Sequence, residues 1–253
     1  MEPDVRTVLV TGASSGVGAA IAQAFGARAW PVAIGARRQD RLAEVAAHIA
    51  DGGTRVFAAP LDVTKPESID GFFSAAESAL GPIDVVVSNA GIGRPGLLHE
   101  LTDAEIYDEI GTNLLGAMFV ARRAIPSMIE RKHGDIVFIS SMTVLEPRPF
   151  QSGYAAAKAG VEALARTLTK ELEGTGVRTT TVRLGPTRSE FGLGWNPEIL
   201  MRVIDCWKEW GLMRHMEILE PEDVAAAIVN AVTAPRGFSN DVIQLNPDGS
   251  SRG

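Results

Sequence analysis

Tyr154 and Lys158 are the pair of side chains in this sequence best suited to acid–base chemistry. They stand four residues apart at the start of a helical pattern, residues 154–173, so both lie on one face of the helix. A tyrosine hydroxyl ionises at about pH 10, and a neighbouring ammonium group favours the phenolate and so lowers the pKa. We therefore predict that Tyr154 moves a proton to or from an oxygen atom. The alternative is a structural pair, because this spacing is common in helices by chance.

Strand patterns and helical patterns alternate along nearly the whole chain, and one of the helical patterns carries this pair. Short apolar strand patterns occupy residues 8–10, 32–35, 56–61, 84–88, 135–140, 178–184 and 241–245, and helical patterns occupy residues 19–28, 38–50, 67–80, 103–131, 154–173 and 221–233. Such alternation indicates parallel strands joined by right-handed helical crossovers. The predicted fold is α/β, a single-domain Rossmann-type doubly wound parallel sheet over residues 1–253.

The composition argues against several classes of function. Acidic residues outnumber basic ones by 31 to 24, and the net charge of −7 disfavours a nucleic-acid or acidic-membrane surface. A single cysteine, Cys206, permits no disulfide within the chain. With no signal-like start and no apolar run of membrane length, we expect a cytoplasmic protein without a membrane span. We also expect no metal site, because four histidines lack metal-ligand spacing: His48, His99, His133 and His215.

A glycine-rich turn, TGASSGVG at residues 11–18, stands between the first strand and the first helix. Gly12 permits a tight turn, Gly16 lets the backbone approach a pyrophosphate, and Gly18 lets the helix pack closely on the sheet. Free N–H groups and the positive end of the helix favour an anion. Such turns also occur for steric reasons alone. In a doubly wound fold, however, this position predicts a dinucleotide site that includes Ser14, Ser15 and Val17.

This turn resembles the TGxxxGxG motif of the short-chain dehydrogenase/reductase family, and other family motifs follow in order over nearly the whole chain. They are LDV at residues 61–63, SNAG at 88–91, Asn113 in TNLLG, Ser141 in ISSM, YxxxK at 154–158 and LGPTRS at 184–189. The chain departs from the family pattern at four positions. Ser88 replaces the first asparagine of NNAG, Leu184 and Ser189 replace the proline and threonine of PGxxxT, and Asn240 stands where many members have glycine.

The resemblance implies an enzyme that interconverts a carbonyl group and an alcohol, with Tyr154 as general acid/base. A positively charged nicotinamide ring would, together with Lys158, favour the phenolate of Tyr154. Ser141 would polarise the substrate oxygen through its hydroxyl. Lys158 would bind the nicotinamide ribose, and Asn113 would hold a water molecule that links Lys158 to solvent. Four such residues at the family's spacings and in its order outweigh the structural interpretation of each one, for example Ser141 as a simple cap.

The resemblance also implies the remaining cofactor contacts and the assembly. The LDV site would contact adenine through Asp62, with Val63 beside it, and Asn89, Ala90 and Gly91 of SNAG would lie beside the cofactor. The nicotinamide would be contacted by Gly185, Thr187 and Ser189. The expected partner is a small carbonyl or alcohol substrate, and the expected assembly is a homotetramer or homodimer.

The end of the second strand predicts which nicotinamide cofactor is used. NAD-specific members of this fold carry an acidic residue there that binds the ribose 2′-hydroxyl. Ala36 occupies this position, and Arg37 and Arg38 follow it. An arginine pairs bidentately with a 2′-phosphate, so NADP is favoured over NAD. Arg37 is the preferred candidate, and the alternative is that one or both arginines are simply solvated.

Two other functions are compatible with parts of this pattern. A non-catalytic NADP-sensing protein on the same fold would not need Asn113, Ser141, Tyr154 and Lys158 all intact. An epimerase or dehydratase of the extended family also has YxxxK, but the short chain leaves no separate substrate domain after Tyr154. The catalytic oxidoreductase is the preferred interpretation.

One stretch, the insert at about residues 190–218, does not fit the strand–helix alternation. It is rich in large apolar side chains: Phe191, Leu193, Trp195, Leu200, Met201, Trp207, Trp210, Leu212, Met213 and Met216. These side chains could pack on the core, on another subunit or over the substrate. Because the insert follows the nicotinamide-contacting segment, we predict a small helical lid that selects a bulky apolar substrate.

Overall fold

The computed structural model describes residues 5–192, 194–213 and 217–249. Seven strands and eight α-helices are present in these ranges. The strands are β1 (Val8–Thr11), β2 (Val32–Ala36), β3 (Val56–Pro60), β4 (Val85–Ser88), β5 (Gly134–Ser141), β6 (Val177–Leu184) and β7 (Val242–Leu245). The helices are α1 (Gly16–Gly26), α2 (Gln39–Asp51), α3 (Pro66–Leu80), α4 (Asp103–Ile110), α5 (Gly116–Glu130), α6 (Ser152–Glu171), α7 (Pro197–Glu209) and α8 (Pro221–Val232).

The strands form one parallel sheet in the order β3-β2-β1-β4-β5-β6-β7. The strand order reverses between β1 and β4, and in open α/β sheets ligands bind outside the carboxyl ends of the strands at this point. This architecture confirms the predicted doubly wound, Rossmann-type fold. The predicted strands and helices agree with the observed ones to within about three residues at their ends, apart from the region 103–131.

Both faces of the sheet are covered, which explains why most residues of the central strands are apolar. Every residue of β1, β2, β4 and β5 is buried. One face packs on α1, α2 and α8 through side chains such as Ile21, Phe25 and Ile228. The other packs on α3, α5 and α6 through side chains such as Phe73, Met128 and Val161. These two cores hold the carboxyl ends of the strands in fixed positions.

The region 103–131, predicted as one long helical pattern, is three elements. Thr102 and Glu105 form a reciprocal capping box at the start of α4, which ends at Ile110. A π-helical turn, Gly111–Leu115, then separates α4 from α5. Single π-helical turns inside helices are frequent at functional sites, and this one contains Asn113.

The insert contains one regular element, α7. Asn196 caps its first turn by accepting a hydrogen bond from the backbone N–H of Glu198, and Pro197 occupies the first helical position. Leu193 and Met216, two of the apolar residues noted in the sequence, lie outside the described residues. None of the described helices is long and apolar enough to cross a membrane.

Candidate active site

The glycine-rich turn after β1 has the backbone geometry that its sequence predicts. Gly12 and Gly16 have φ angles of +67° and +53°, which side-chain-bearing residues rarely adopt. A Cβ atom on Gly18 would overlap the carbonyl oxygen of Gly12 and the side chain of Asn89. The turn is therefore compact, and its backbone is open to a ligand at the start of α1.

Asn89, after β4, ties the turn to the neighbouring strand. Its side-chain amide donates to the carbonyl oxygens of Thr11 and Gly12, at 3.0 and 3.2 Å. The hydroxyl of Thr11 accepts from the backbone N–H groups of Asn89 and Ala90, at 3.1 and 3.0 Å. These bonds cross the switch point of the sheet and bring the predicted contacts Asn89 and Ala90 to the glycine-rich turn.

Arg38, rather than Arg37, reaches the glycine-rich turn. Its guanidinium donates to the hydroxyl of Ser14 at 3.1 Å and to that of Ser15 at 2.6 Å. The same group pairs with the carboxylate of Glu190 at 2.5 Å. Arg37 is exposed and has no side-chain hydrogen bond or ion pair within the described ranges. The arginine beside the turn is thus Arg38, whereas the sequence favoured Arg37.

Asp62 and Val63 lie after β3, beside the second and third strands. The carboxylate of Asp62 accepts from the backbone N–H and the hydroxyl of Thr64, at 3.1 and 2.7 Å. Burial raises the pKa of Asp62, but these hydrogen bonds and the charge of Lys65 outweigh it, so the pKa is lowered. Val63 is buried against Gly116 at the start of α5.

Lys158 and Tyr154 lie on one face of α6, as predicted, with the lysine Nζ 5.7 Å from the centroid of the tyrosine ring. Lys158 is buried, and its ammonium group donates to the carbonyl oxygen of Ile139 at 2.8 Å. Burial lowers the pKa of Lys158 to about 8. An amine with this pKa exchanges protons readily near neutral pH.

The predicted lowering of the Tyr154 pKa by Lys158 is wrong for this structure. Burial raises the pKa of Tyr154 to about 12, because the charged phenolate loses hydration. A hydrogen bond with Ser141 acts in the opposite direction, and the nearby Glu109 adds to the increase. Tyr154 is therefore a protonated phenol at neutral pH, in hydrogen-bonding contact with Ser141.

Ser141 ends β5 and is buried. Its hydroxyl accepts from the backbone N–H of Thr143 at 3.2 Å and so caps the short 3₁₀ turn Met142–Val144. The sequence offered two interpretations of Ser141, as a cap and as part of the site. The structure is compatible with both, because the serine caps a turn and also contacts Tyr154.

Asn113 faces the segment after β4 from the π-helical turn. Its side chain accepts from the N–H of Ile92 at 2.9 Å and donates to the carbonyl oxygen of the same residue at 2.8 Å. A Cβ atom on Gly91 would lie 2.8 Å from the Asn113 oxygen and 3.6 Å from the Lys158 nitrogen. The space beside Gly91 is therefore bordered by both side chains.

Glu109 is a buried acid that was not predicted as part of the site. Its oxygen Oε1 accepts from the backbone N–H of Arg94 at 2.8 Å, whereas Oε2 has no hydrogen-bond partner among the described residues. A side chain on Gly153 would overlap Oε2. Burial raises the pKa of Glu109. The signal in the sequence was its position four residues before Asn113, on the same helical face.

The segment after β6 closes the opposite side of the site. A Cβ atom on Gly16 would lie 3.3 Å from the Cβ of Ser189, so this segment packs on the glycine-rich turn. The hydroxyl of Thr187 donates to the carbonyl oxygen of Gly185 at 2.9 Å and so shapes the segment itself. All three predicted nicotinamide contacts of this segment lie at the carboxyl end of β6.

The insert contacts both sides of the site. The ring of Phe191 packs on the ring of Tyr154, and the ring of Trp195 packs on that of Phe191. The indole N–H of Trp195 donates to the carbonyl oxygen of Gly93 at 3.1 Å, and that of Trp207 donates to Pro149 at 3.0 Å. The insert therefore spans from the segment after β4 to the segment between β5 and α6.

Comparison with known proteins assigns the family. The short chain dehydrogenase family model matches residues 6–198, about three quarters of the chain. A short chain dehydrogenase of Pseudocercospora fijiensis is 36% identical over 189 residues, which cover 74% of this chain and 61% of that protein. An uncharacterized oxidoreductase of Staphylococcus aureus is 30% identical over 96% of this chain and 97% of its own length. The chain belongs to the short-chain dehydrogenase family of oxidoreductases.

A solved structure supports the same assignment. The alcohol dehydrogenase of the archaeon Thermococcus sibiricus, complexed with 5-hydroxy-NADP, matches with a TM-score of 0.82 and 29% identity over 96% of each chain. The chain spans about three fifths of the length of the Pseudocercospora protein, and nearly all of the archaeal and staphylococcal proteins.

Proposed function

We propose that this protein is an NADP(H)-dependent oxidoreductase that interconverts a ketone or aldehyde and the corresponding alcohol. The observation that carries the proposal is the grouping of Ser141, Tyr154 and Lys158 at the carboxyl end of β5, with Asn113 behind Gly91. A protein that only senses NADP has no need of this group.

The residues around the glycine-rich turn fit a dinucleotide. Gly12 and Gly18 let the turn pack directly against the segment after β4, since a Cβ atom on either would overlap atoms of that segment or of the turn itself. The first turn of α1 then presents N–H groups to a pyrophosphate. A bound nicotinamide would exchange a hydride with the substrate carbon. The candidate cofactor contacts remain those expected from the sequence, with Arg38 now preferred over Arg37.

In the reducing direction, Tyr154 gives its hydroxyl proton to the carbonyl oxygen as the carbon gains the hydride, so the product is a neutral alcohol. Ser141 donates a hydrogen bond to the same oxygen. The phenolate left on Tyr154 lies near Lys158, whose pKa of about 8 suits it to return the proton. Because the pKa of Tyr154 is about 12, reduction starts from the correct protonation state.

NADP is preferred over NAD because of the charges beside the turn. Arg38 already holds an anion, the carboxylate of Glu190, together with the hydroxyl of Ser15. A 2′-phosphate would meet the same donors, and no acidic residue stands at Ala36 to accept a ribose hydroxyl. A cytoplasmic location, with its reduced NADP pool, would favour carbonyl reduction.

The insert favours an apolar substrate. Phe191 and Trp195 form an aromatic cover over Tyr154, and Trp207 lies on the neighbouring segment. We infer that residues 190–218 act as a lid over the substrate, and that apolar ketones or alcohols bind better than small polar sugars.

A homotetramer or homodimer is also proposed. Tyr107, Leu115 and Met118 expose 79%, 42% and 42% of their surface on neighbouring turns of α4, the π-helical turn and α5. Exposed apolar side chains grouped in this way favour contact with another protein surface. Light scattering on the purified protein would give the mass of the assembly.

A carbonyl panel followed by NADPH absorbance tests the function directly. The panel should contain ketones and aldehydes of increasing apolar size, each measured with NADPH and with NADH. We expect kcat/KM to favour NADPH by at least about tenfold, or about 1.4 kcal/mol. NADPH binding without reduction of any carbonyl would favour the sensing protein instead.

A further inference from the structure

Arg148 lies between β5 and α6, and its side chain is half-buried. Its guanidinium has no hydrogen bond and no ion pair in the part of the chain that the structure describes. Burial lowers the pKa of Arg148, and only the charge of Glu146 acts in the opposite direction. A charge withdrawn from water without a partner costs free energy, so this site is suited to an anion from outside the chain.

The guanidinium is held in a defined position. It lies over the ring of Trp207, with its carbon Cζ 4.8 Å from the ring centroid. The indole N–H of Trp207 donates to the carbonyl oxygen of Pro149 at 3.0 Å, which fixes the ring under the arginine. An arginine ordered in this way loses little conformational freedom when it binds a ligand.

Arg148 lines a cavity of about 310 Å³ that adjoins the reactive groups. Two other lining residues, Met142 and Pro186, follow Ser141 and Gly185 directly in the chain. Leu212 of the insert adds an apolar wall. The wall of the cavity thus begins one residue beyond Ser141, the proposed contact of the substrate oxygen.

We propose that Arg148 binds a carboxylate of the substrate, so that the natural substrate is an oxo acid or hydroxy acid with an apolar body. The proposal rests on the proposed function, because it places the reacting carbonyl at Tyr154. A guanidinium binds a carboxylate through two parallel hydrogen bonds. The cavity is lined by one arginine and also by the acidic Glu146. This charge balance suits a ligand with a single negative charge better than a phosphate dianion.

A matched pair of substrates tests this subsite. The probes are 5-oxohexanoate and methyl 5-oxohexanoate, which share the reacting ketone and differ in charge. We expect the unmodified protein to prefer the acid by about tenfold in kcat/KM, the scale of a charged hydrogen-bond pair. Arg148→Gln should bring the ratio close to one by slowing reduction of the acid, and Arg148→Lys should keep part of the preference.

Arg28→Gln is the control, because Arg28 is exposed beyond the end of α1, at the opposite end of the sheet from the site. It removes the same charge and should leave the ratio of acid to ester unchanged. A thermal melt of each variant would show whether it is folded. An unchanged ratio in Arg148→Gln, or an equal loss in Arg28→Gln, would overturn the proposal.

A binding experiment separates this proposal from the proposed function. Calorimetry with hexanoate, which has no carbonyl to reduce, should detect binding to the unmodified protein with or without NADP⁺, and none to Arg148→Gln. If hexanoate binds through Arg148 but no ketone is reduced, the subsite stands and the function fails. If neutral ketones are reduced but hexanoate does not bind, the function stands and the subsite is wrong.

Discussion

The ring of Phe191 packs on the ring of Tyr154, with centroids 5.1 Å apart and planes tilted by 53°. Phe191 also presses on Gly93, where a Cβ atom would overlap its ring. The first aromatic residue of the insert therefore contacts both the proposed proton donor and the segment after β4. This contact contributes to the burial that raises the pKa of Tyr154.

Phe191→Ala should weaken reduction of bulky apolar ketones. Removing the ring takes away an apolar contact worth about 1.5 kcal/mol, so we expect kcat/KM for such ketones to fall by about tenfold. Trp210→Ala is the control, because Trp210 is 68% exposed and lies just beyond α7. Steady-state kinetics on a size series of ketones checks this, and equal effects of the two substitutions would count against a lid.

Arg38→Ala should weaken NADPH binding more than Arg37→Ala does. Arg38 contacts the hydroxyls of Ser14 and Ser15, whereas Arg37 is exposed beside it. The loss of a charged contact to a 2′-phosphate should cost about 2 kcal/mol, or about 30-fold in Kd. Cofactor fluorescence titration measures this directly, with NADH affinity as the internal control. A larger effect of Arg37→Ala would restore the assignment made from sequence.

Glu190→Gln should tighten NADPH binding several-fold. The carboxylate of Glu190 pairs with Arg38, and a hydrogen bond from Arg38 holds the pKa of Glu190 below its usual range, so the carboxylate is ionised. A bound 2′-phosphate would have to displace this anion. The amide keeps the shape without the charge, and NADH affinity should not change. Weaker NADPH binding in this variant would mean that Glu190 assists the cofactor.

Lys158→Met should change how stability depends on pH. The pKa of Lys158 is about 8 in the folded protein and 10.5 in the unfolded chain, so between these values the unfolded chain binds more protons. Stability due to Lys158 is therefore lowest below pH 8 and rises as the pH approaches 10. Urea unfolding should show that the free energy of unfolding of the wild type rises over this range by on the order of 3 kcal/mol relative to that of Lys158→Met. A difference independent of pH would mean that the lysine is well hydrated.

The placement of the candidate catalytic residues on their helix and strand could be predicted from the sequence, because it depends on local spacing. Tyr154 and Lys158 share a helical face, and Ser141 ends a strand whose limits are marked by its apolar run. Asn113 was predicted within one long helical pattern, whereas it lies in the π-helical turn that divides this region. The doubly wound sheet followed from the alternation of patterns in the same way.

The contacts that depend on three-dimensional packing could not be predicted. Nothing in the order Arg37–Arg38 indicates which side chain turns toward Ser15, and Glu190 pairs with an arginine 152 residues earlier in the chain. The pKa of Tyr154 was also predicted in the wrong direction, since burial depends on Phe191 and on the segments around it. Local pattern carries no information about such long-range neighbours.

Replacement of Tyr154 by phenylalanine tests whether this tyrosine supplies the proton, because it removes the hydroxyl and keeps the ring. The measurement is NADPH oxidation with the best ketone of the panel, together with NADPH binding by fluorescence. We predict that kcat falls by about a hundredfold or more, the scale of lost acid–base catalysis, while the Kd for NADPH stays within a few-fold. Turnover close to that of the unmodified protein would show that Tyr154 is not the proton donor, because another group would then supply the proton.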